Sequence, residues 1–427
     1  MRLLLVSPRF PPSTAADSQR LRVLLPHLKA QGCSPEVLAV DPVCCVNTLD
    51  PWQAEHLPED VPIHRVRGAS RRWARLPGFG SIDARCHSAL ARAGSKLLQQ
   101  RRFDAVYFST TEFGCFRLGP LWKHHHSVPF FLDYQDPWVN DHYRLNPGLK
   151  PPGGRLKHTV VDQLHRWREP RVLRHASGIT AVSPAYPRAI QARYPFAAHL
   201  PSLVLPFPGS PDDFAHLDSI GPSQLPFNPH DGLIHWVSIG RGGADLHASL
   251  AGLFQAIACH APAQLRERLR LHFIGTSYAP QGSGVATIAP LAARFGLEAI
   301  VNEQTDRLPL SLALATLKAA DALLVLGSTD SGYTASKLMP YLLARRPMLA
   351  VMHEQSLVCD LLQRCGGAQL VTFAGRSDQA ALASKIQQAW LADGRYQQLL
   401  PLNQDALQPY TASGQAGELV AFLQRHR

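Results

Sequence analysis

Short apolar runs alternate along the chain with longer segments in which apolar residues recur at helical spacing. The runs have the length of β-strands, and they lie at 2–7, 36–40, 105–109, 130–133, 178–182, 233–239, 271–274, 299–303, 322–326, 348–352 and 370–371. The segments with helical spacing include 18–31, 160–174, 247–260, 311–319, 335–345 and 411–426. Because continuous apolar runs are typical of strands buried on both faces, this alternation predicts an α/β fold with parallel sheets.

Two domains are expected, because 427 residues exceed what one hydrophobic core usually supports. The alternation of strands and helices stops in the proline-rich window 200–229 and then restarts. We therefore predict an N-terminal domain at 1–205 and a C-terminal domain at 206–427, with the linker in that window. A final helix is predicted near 411–426.

The segment 320–350 is typical of a strand–loop–helix–strand unit, whose ligand crevice lies at the carboxyl ends of the strands. Its loop carries Tyr333, Thr334, Ser336 and Lys337 at the start of the helix. Free backbone N–H groups and the helix dipole favour an anion at such a position, so a phosphate is one interpretation. An ordinary capped helix with a solvated lysine is the other.

A glycine-rich turn follows the predicted strand 233–239, and Arg241 lies within it. Glycine lets the backbone approach a ligand closely, and an arginine can bind a diphosphate through two N–H groups. Alone this turn is a weak motif, but together with the turn after 271–274 and the loop containing Lys337 it indicates a phosphate site. The candidate donor-binding residues of the two turns are Gly240, Gly242, Gly243, Gly275 and Thr276.

The loop 8–17 near the start of the chain is rich in proline and small residues. It lacks the glycines of a dinucleotide-binding motif, which disfavours a dehydrogenase. The loop either admits a substrate or simply joins a strand to a helix. If it admits a substrate, the candidate residues are Arg9, Ser13 and Thr14.

A second candidate region is the stretch 133–143, which follows a predicted strand. Asp133, Asp136 and Asp141 lie there together with Trp138. Carboxylates and aromatic rings at the end of a strand suit sugar recognition or base catalysis. A carboxylate in this place can also simply cap the next helix.

The formal net charge of +11 indicates an anionic partner, such as a nucleotide, a nucleic acid or a membrane surface. Residues 65–102 concentrate arginines around Trp73, which suits an anionic membrane surface, nucleic acid or a solvated helix face. The sequence carries no known nucleic-acid-binding motif, so nucleic acid is the less favoured partner.

The cysteines and histidines indicate which further classes of function are disfavoured. The eight cysteines form no C-x-x-C pair, which predicts reduced thiols in a cytoplasmic protein. No apolar run reaches the length of a membrane-spanning helix. The histidines 124–126 have no second cluster of metal ligands at a useful spacing, so no metal site is predicted.

Several segments together resemble one known family. They are MRLLLVSPRFPP at the start, then PFFLDYQDPW, IHWVSIGRGGAD, LHFIGTS and SKLMPYLLARRPMLAV, and finally YTASGQAGELVAFL. The ordered set is similar to GT-B glycosyltransferases, especially the large family 4 of retaining enzymes that use nucleotide sugars. The resemblance implies two Rossmann-like domains facing a cleft, with the last helix crossing back to the N-terminal domain. It also implies an acceptor on the N-terminal side and a donor on the C-terminal side.

The resemblance further implies roles for individual residues. Arg241 matches the basic residue that holds the diphosphate, and Ser336 with Lys337 falls where the C-terminal phosphate loop of the family lies. Asp136 falls beside the position of a His-Asp pair at the floor of the cleft, with Gln135 where histidine is common. We therefore expect Asp136, Arg241 and Lys337 to be the catalytic residues of a transfer that needs no metal.

The sequence departs from the family in two places. The paired glutamates of the family would fall near Gly332 and Pro340, and neither is acidic. The lysine that usually follows the arginine of the phosphate turn is missing, with Leu246 and His247 there, so Lys337 is a candidate substitute. These departures motivate an alternative, a non-catalytic protein of GT-B fold that binds a partner or acts as a scaffold.

The predicted function is a hexosyltransferase-type enzyme of polysaccharide biosynthesis. It would move a sugar from a nucleotide-diphosphate donor to a glycan, a lipid-linked molecule or a small molecule, with neither a cofactor nor a metal ion. The predicted location is the cytoplasm, with residues 65–102 as a peripheral contact to the inner membrane face.

Overall fold

The computed structural model describes residues 1–45, 48–76, 78–141, 144, 154–279, 281–330, 338–375 and 378–427, except for the side chains of 156 and 157. The chain divides into two compact units. Unit 1 comprises Met1–Pro208 and Ala412–Arg427, and unit 2 comprises Gly209–Thr411.

Unit 1 is built around a parallel sheet that has seven strands in the described residues. The strands are β1 (Arg2–Val6), β2 (Ser34–Val40), β3 (Ile63–Val66), β4 (Ala105–Ser109), β5 (Phe130–Tyr134), β6 (Gly178–Ala181) and β7 (Ser202–Val204). Their order is β3–β2–β1–β4–β5–β6–β7, and every pairing is parallel. The inner strands β1, β4 and β5 are buried almost throughout, because helices cover both faces of the sheet.

The last helix of the chain belongs to unit 1. The α-helices in the described part of this unit are Gln19–Ala30, Trp52–Glu55, Ile82–Gln100, Leu118–His126, Arg155–Leu173, Ala185–Arg193 and Ala412–His426. Leu419 and Leu423 of the last helix share a buried apolar cluster with Leu21 and Leu24 of Gln19–Ala30. The prediction that the C-terminal helix crosses back to the N-terminal domain is therefore confirmed.

Unit 2 repeats the same plan with a parallel sheet of six described strands. The strands are β8 (Ile234–Ile239), β9 (Leu269–Ile274), β10 (Val301–Gln304), β11 (Ala322–Leu326), β12 (Met348–His353) and β13 (Gln369–Phe373), in the order β10–β9–β8–β11–β12–β13. The described α-helices are Asp212–Ala215, His247–His260, Ala263–Arg268, Ala289–Ala293, Leu310–Ala319, Leu338–Leu343, Leu357–Cys365, Gln379–Ile386 and Gln404–Leu407. Successive residues of β11 alternate between two apolar clusters, with Leu324 in one and Leu323 in the other, so the sheet is covered on both faces.

Both strand orders are those of a doubly wound Rossmann sheet, in which the order reverses beside the first strand. The reversal lies between β1 and β4 in unit 1 and between β8 and β11 in unit 2. Ligands of such sheets bind at the carboxyl ends of the strands next to the reversal. The predicted α/β class with two Rossmann-like domains is confirmed, and the loops that follow these four strands are the places to examine for a site.

Two strands, β3 and β7, lie outside the predicted apolar runs. Both form edges of the sheet of unit 1, and both are only partly buried. The sequence of β3 is IHRV, and β7 has three residues within the proline-rich window 200–229. Edge strands are often short and carry polar residues or flanking prolines, so the pattern that reveals inner strands is missing from them.

Candidate active site

The glycine-rich turn after β8 has backbone conformations that favour glycine. The φ angles of Gly240 and Gly243 are 137° and 142°, a region that side chains rarely adopt. At Gly242, an added Cβ atom would lie 2.7 Å from Thr287 Oγ1. The local geometry of the turn therefore favours glycine at all three candidate positions.

Arg241 directs its guanidinium group to a carboxylate of the same turn. Its Nη1 and Nη2 atoms donate to the two carboxylate oxygens of Asp245 at 2.8 and 2.6 Å. The hydrogen bond from Arg241 lowers the pKa of Asp245, and a hydrogen bond from Ser328 adds to this effect. Both side chains remain partly open to solvent, 26% for Arg241 and 35% for Asp245. The predicted diphosphate-binding arginine is thus held in a two-bond ion pair.

Hydrogen bonds tie together the loops that follow β8, β9 and β11 at the carboxyl edge of the sheet of unit 2. Gly242 N donates to Thr276 O at 2.8 Å, which joins the turn after β8 to the turn after β9. Thr329 N donates to Asp245 O at 2.9 Å, which joins the turn after β8 to the loop after β11. The structure therefore brings the two predicted glycine turns together at one edge of the sheet.

Glu303, at the carboxyl end of β10, organises the turn after β9. Its carboxylate accepts a hydrogen bond from Thr276 Oγ1 at 2.7 Å. It also accepts bonds from the backbone N–H groups of Thr287 and Ala289 at 3.0 and 2.7 Å. The hydroxyl of Thr276 is thus engaged with Glu303, while Gly275, with a φ of 72°, supplies the bend of the turn.

The other predicted donor-side residues fall in the loop that follows β11. Tyr333, Thr334, Ser336 and Lys337 lie outside the residues that the structure describes, as does Gly332. Pro340, the second position at which the resembling family carries a glutamate, lies within the helix Leu338–Leu343.

In unit 1, Arg9 is the centre of a group of charges at the carboxyl ends of β1 and β4. Its Nη2 atom donates to Asp17 Oδ2 at 2.8 Å, and its Nη1 atom lies 3.7 Å from Glu112 Oε1. Burial alone would lower the pKa of Arg9, but the charges of Asp17 and Glu112 outweigh it and raise the pKa. Asp17 Oδ2 also accepts bonds from Thr110 Oγ1 and Thr111 N at 2.8 and 2.9 Å. These contacts close the loops after β1 and β4 onto each other.

Two carboxyl groups near Arg9 have raised pKa values. Burial raises the pKa of Glu112, although Arg9 opposes the shift. Neighbouring protein atoms desolvate Asp136 and, together with the charge of Asp17, raise its pKa, although its side chain is exposed. Two buried acceptor atoms of the same edge, Asp17 Oδ1 and Gln135 Oε1, have no hydrogen-bond partner among the described residues. An exposed carboxylate with a raised pKa is suited to accept a proton from a hydroxyl group.

The other predicted acceptor-side residues are less exposed to solvent than Asp136. Ser13 is fully buried. Thr14 Oγ1 donates to Thr48 O at 3.1 Å and is only partly exposed. Trp138 is 2% exposed and stacks on Phe113 with ring centroids 5.8 Å apart, so its ring lies in the core of unit 1. Asp136 is therefore the predicted acceptor-side residue with the most exposed side chain, and Arg9 is 19% exposed.

The basic stretch 65–102 is partly used inside unit 1. Arg65 and Arg85 donate hydrogen bonds to backbone carbonyl groups of the same unit. By contrast, the segment 71–79 leaves Trp73 50% exposed among its arginines. Only part of the stretch therefore presents the mixture of cations and apolar surface that the sequence indicated.

Metal-ligand clusters, thiols and membrane-spanning helices are the remaining features that bear on function. Within the described ranges, no group of three or more histidine, cysteine, aspartate or glutamate side chains is placed to hold a metal ion. Every cysteine is a free thiol, and all except Cys259 are buried. None of the helices in the described part of the chain combines the length and apolar character needed to cross a membrane.

Four charged residues of these edges were not among the predicted site residues: Asp17, Glu112, Asp245 and Glu303. The first three lie in the loops that follow β1, β4 and β8, and Glu303 lies in β10 near its carboxyl end. A search for charged residues in the whole loop after each predicted strand, rather than for glycine-rich motifs, would have found the first three. Their partners depend on loop conformation, which spacing in the sequence does not reveal.

Comparisons with known proteins give a clear result for structure and none for sequence. No protein-family model matches the chain, and no curated protein matches it. Three of the solved structures that match are the Anabaena protein HepE in complex with UDP and glucose, an α,α-trehalose-phosphate synthase (UDP-forming) from Burkholderia vietnamiensis, and WaaG, a glycosyltransferase involved in lipopolysaccharide biosynthesis.

The similarity extends over whole chains, although sequence identity is low. HepE matches with a TM-score of 0.59 at 14% identity, over 100% of this chain and 99% of HepE. The synthase matches with a TM-score of 0.58 at 14% identity, over 100% of both chains. WaaG matches with a TM-score of 0.51 at 13% identity, over 99% of this chain and 98% of WaaG. At these identities the similarity concerns the fold, and the chain has the fold of the GT-B glycosyltransferases.

Proposed function

We propose that this protein is a glycosyltransferase that moves a sugar from a nucleotide-diphosphate donor to an acceptor without a metal ion. The observation that carries the proposal is the carboxyl edge of unit 2, where three tied loops present glycine backbone beside Arg241. The fold adds support, because one of the similar structures, HepE, is in complex with UDP and glucose.

In the proposed reaction, unit 2 binds the donor and stabilises the departing diphosphate. Negative charge develops on the diphosphate as its bond to the sugar breaks, and a preorganised guanidinium group stabilises that charge. Arg241 would supply the guanidinium group, while the backbone at Gly242, Gly243 and Gly275 lets phosphate oxygens approach. Lys337 is proposed as the second cation, in the role that a metal ion has in other transferases.

We assign the acceptor to unit 1. Asp136 is exposed and has a raised pKa, so it would take the proton of the acceptor hydroxyl or hold that hydroxyl by a hydrogen bond. Arg9 would orient an acidic or hydroxyl-rich acceptor beside it. A glycan or lipid-linked acceptor fits a role in polysaccharide biosynthesis, and the segment 71–79, in which Trp73 is exposed, is the proposed contact with the inner membrane face.

The second candidate function is a non-catalytic protein of the same fold that binds a partner. The observation that favours it is the ion pair between Arg241 and Asp245, which neutralises the cation proposed to bind the diphosphate. The absence of acidic residues at Gly332 and Pro340 points the same way.

Calorimetric titration with UDP, GDP, ADP and dTDP separates the two functions. The enzyme proposal expects saturable binding of at least one nucleotide, weakened tenfold or more in Arg241→Ala, which is roughly 1.4 kcal/mol. The matched control is Arg266→Ala, which removes an exposed arginine from another part of unit 2. Binding of none of the four would favour the non-catalytic protein. If one nucleotide binds, a panel of nucleotide sugars read by mass spectrometry would identify the donor.

A further inference from the structure

A cavity of about 480 Å³ lies on the surface of unit 1, away from the residues assigned to donor or acceptor. The helix Arg155–Leu173 forms one side of it and the start of Leu118–His126 another. Its wall is apolar, from Pro120 and Trp167 among others, and four arginines border it: Arg117, Arg168, Arg171 and Arg174. An apolar hollow ringed by guanidinium groups is suited to a ligand that joins an anionic group to a hydrocarbon chain.

One of the four arginines, Arg168, forms no ion pair with a described residue, whereas Arg117 pairs with Asp83. Arg168 donates no hydrogen bond to any described residue, and its Nε atom is buried without a partner. Burial lowers the pKa of Arg168, and the charge of Arg117 lowers it further, although the charge of Asp83 opposes the shift. Arg117 Nη2 lies 3.4 Å from both carboxylate oxygens of Asp83, and its Nε atom donates to Gly114 O at 3.1 Å. An anion beside Arg168 would offset both its desolvation and its repulsion by Arg117.

The position of the helix end explains only the other two arginines. Arg171 lies in the last turn of Arg155–Leu173 and Arg174 directly follows it, where the helix dipole favours cations. The guanidinium group of Arg171 also stacks on Trp167, 4.1 Å from the ring centroid. Neither effect accounts for Arg168, whose Nε atom is buried without a partner, so an external anion is the best explanation for its position.

The same helix exposes an apolar face next to the arginines. Val160, Val161, Leu164 and Trp167 are 62%, 38%, 38% and 55% exposed, and their spacing places them along one side of the helix. Arg168 follows Leu164 by one helical turn, so the charged and apolar surfaces are continuous. Soluble proteins rarely leave such a continuous apolar strip in water.

We propose that this surface docks onto an anionic phospholipid bilayer, with a lipid phosphate held among Arg117, Arg168 and Arg171. The apolar strip would enter the boundary between headgroups and acyl chains, and the tryptophan ring and arginine stems suit that boundary. A nucleic acid would satisfy the arginines but would leave the valines and Leu164 in water. Charge complementarity together with the apolar strip therefore favours the bilayer, and the proposal does not depend on glycosyl transfer.

Vesicle flotation tests the proposal with the full chain. The probes are vesicles of phosphatidylcholine alone and vesicles of phosphatidylcholine with phosphatidylglycerol. We expect the protein to float only with the anionic vesicles. The variant carrying Arg168→Gln and Arg171→Gln should bind them more weakly, by about fivefold for each arginine removed. The variant carrying Val160→Ser and Trp167→Ser should also lose binding, because it removes the apolar contact while keeping the charges.

Two controls separate this surface from other sources of charge. Arg266→Gln with Arg364→Gln removes the same charge from unit 2 and should float like the wild type. The variant carrying Arg71→Gln and Arg72→Gln measures separately how much the segment 71–79 contributes to flotation. Circular dichroism checks that each variant folds. If the glutamine variant of the helix does not fold, the serine variant, which alters only exposed side chains, carries the test. Flotation unchanged in both helix variants, or tight binding to duplex DNA that both helix variants lose, would overturn the proposal.

Discussion

Arg241 and Asp245 are joined by two hydrogen bonds of 2.8 and 2.6 Å within a single turn of unit 2. The turn therefore presents a pair with no net charge, although the arginine is the residue proposed to bind a diphosphate. The carboxylate stays ionised because the bond from Arg241 lowers its pKa. Asp245 thus fixes the direction of the guanidinium group and at the same time opposes an incoming anion, and the two effects can be separated by mutation.

Replacement of Arg241 should reduce donor turnover with the fold intact. We expect Arg241→Ala to lower kcat/KM by roughly a hundredfold, which corresponds to about 3 kcal/mol of lost charge stabilisation in the transition state. Arg241→Lys should be intermediate, because lysine keeps the charge but loses the planar pair of donors. Initial rates over a range of donor concentrations measure the effect, and Arg266→Ala is the matched control. Turnover at the wild-type level in Arg241→Ala would exclude the assigned role.

Replacement of Asp245 should have the opposite effect on binding. Asp245→Asn removes a negative charge beside the proposed diphosphate but keeps an oxygen that can hold the guanidinium group. We expect nucleoside diphosphates to bind roughly threefold to tenfold more tightly, as is usual for a partly exposed charge worth about 1 kcal/mol. Calorimetry measures the affinity, and Asp405→Asn, at an exposed position of unit 2, makes the same change in net charge. Weaker binding in Asp245→Asn would show that positioning outweighs repulsion.

The inner strands and the glycine turn could be predicted from the sequence because local patterns determine them. A buried parallel strand needs a continuous apolar run, and the φ angles at Gly240 and Gly243 favour glycine. The partner of Arg241 could not be predicted in the same way, because it depends on the path of the turn. The sequence also could not separate the roles of Asp133 and Asp136. Both lie where a strand ends, and only their burial in the structure distinguishes them.

Asp133 proves to be a structural residue rather than a ligand-binding one. It forms an ion pair with Arg20 at 2.9 Å, and both side chains are fully buried. Arg20 also donates to Leu205 O at 2.6 Å and to Gln415 Oε1 at 3.2 Å. Leu205 precedes the point where the chain leaves unit 1, and Gln415 follows the point where it returns. The pair therefore fixes both ends of the excursion to unit 2.

Breaking this buried pair should destabilise unit 1 strongly. Arg20→Met leaves a buried carboxylate without its cation, which typically costs about 3–5 kcal/mol. The double variant Arg20→Met with Asp133→Asn should be less destabilised than the sum of the single variants, because neither charge is then left alone. Urea unfolding measures the effect. The exposed pair of Lys29 and Asp60 is the control, and its removal should change little.

Asp136 should determine the acid side of the pH–rate profile if it acts as the base. A base works only when deprotonated, and the pKa of Asp136 is raised by desolvation and by Asp17, so activity should fall at a higher pH than for an ordinary aspartate. Asp136→Asn should lower kcat by roughly a hundredfold and abolish that limb. Glu112→Gln is the comparison, because Glu112 also has a raised pKa. A raised KM with the acid limb preserved in Asp136→Asn would indicate that Asp136 only binds the acceptor.

A pair of buried histidines links the first two strands of unit 2. His235 Nδ1 and His272 Nε2 lie 2.9 Å apart, and Phe227 stacks on both rings at 4.4 and 4.8 Å. Burial, and then the charge that His235 would carry, lower the pKa of His272 to about 4. The pair is therefore stable only while His272 remains neutral.

Acid should weaken unit 2 through His272. The unfolded chain binds a proton at this residue below a pKa of about 6.5, whereas the folded chain does so only near 4, so stability is present above pH 6.5 and is lost as the pH falls towards 4. The expected loss between pH 7 and pH 5 is about 2 kcal/mol. Hydrogen exchange in β8 and β9, corrected for intrinsic rates, measures it. His272→Gln should remove most of this pH dependence, whereas His260→Gln, at an exposed position, should keep it. Equal pH dependence in His272→Gln and the wild type would assign the acid sensitivity to other groups.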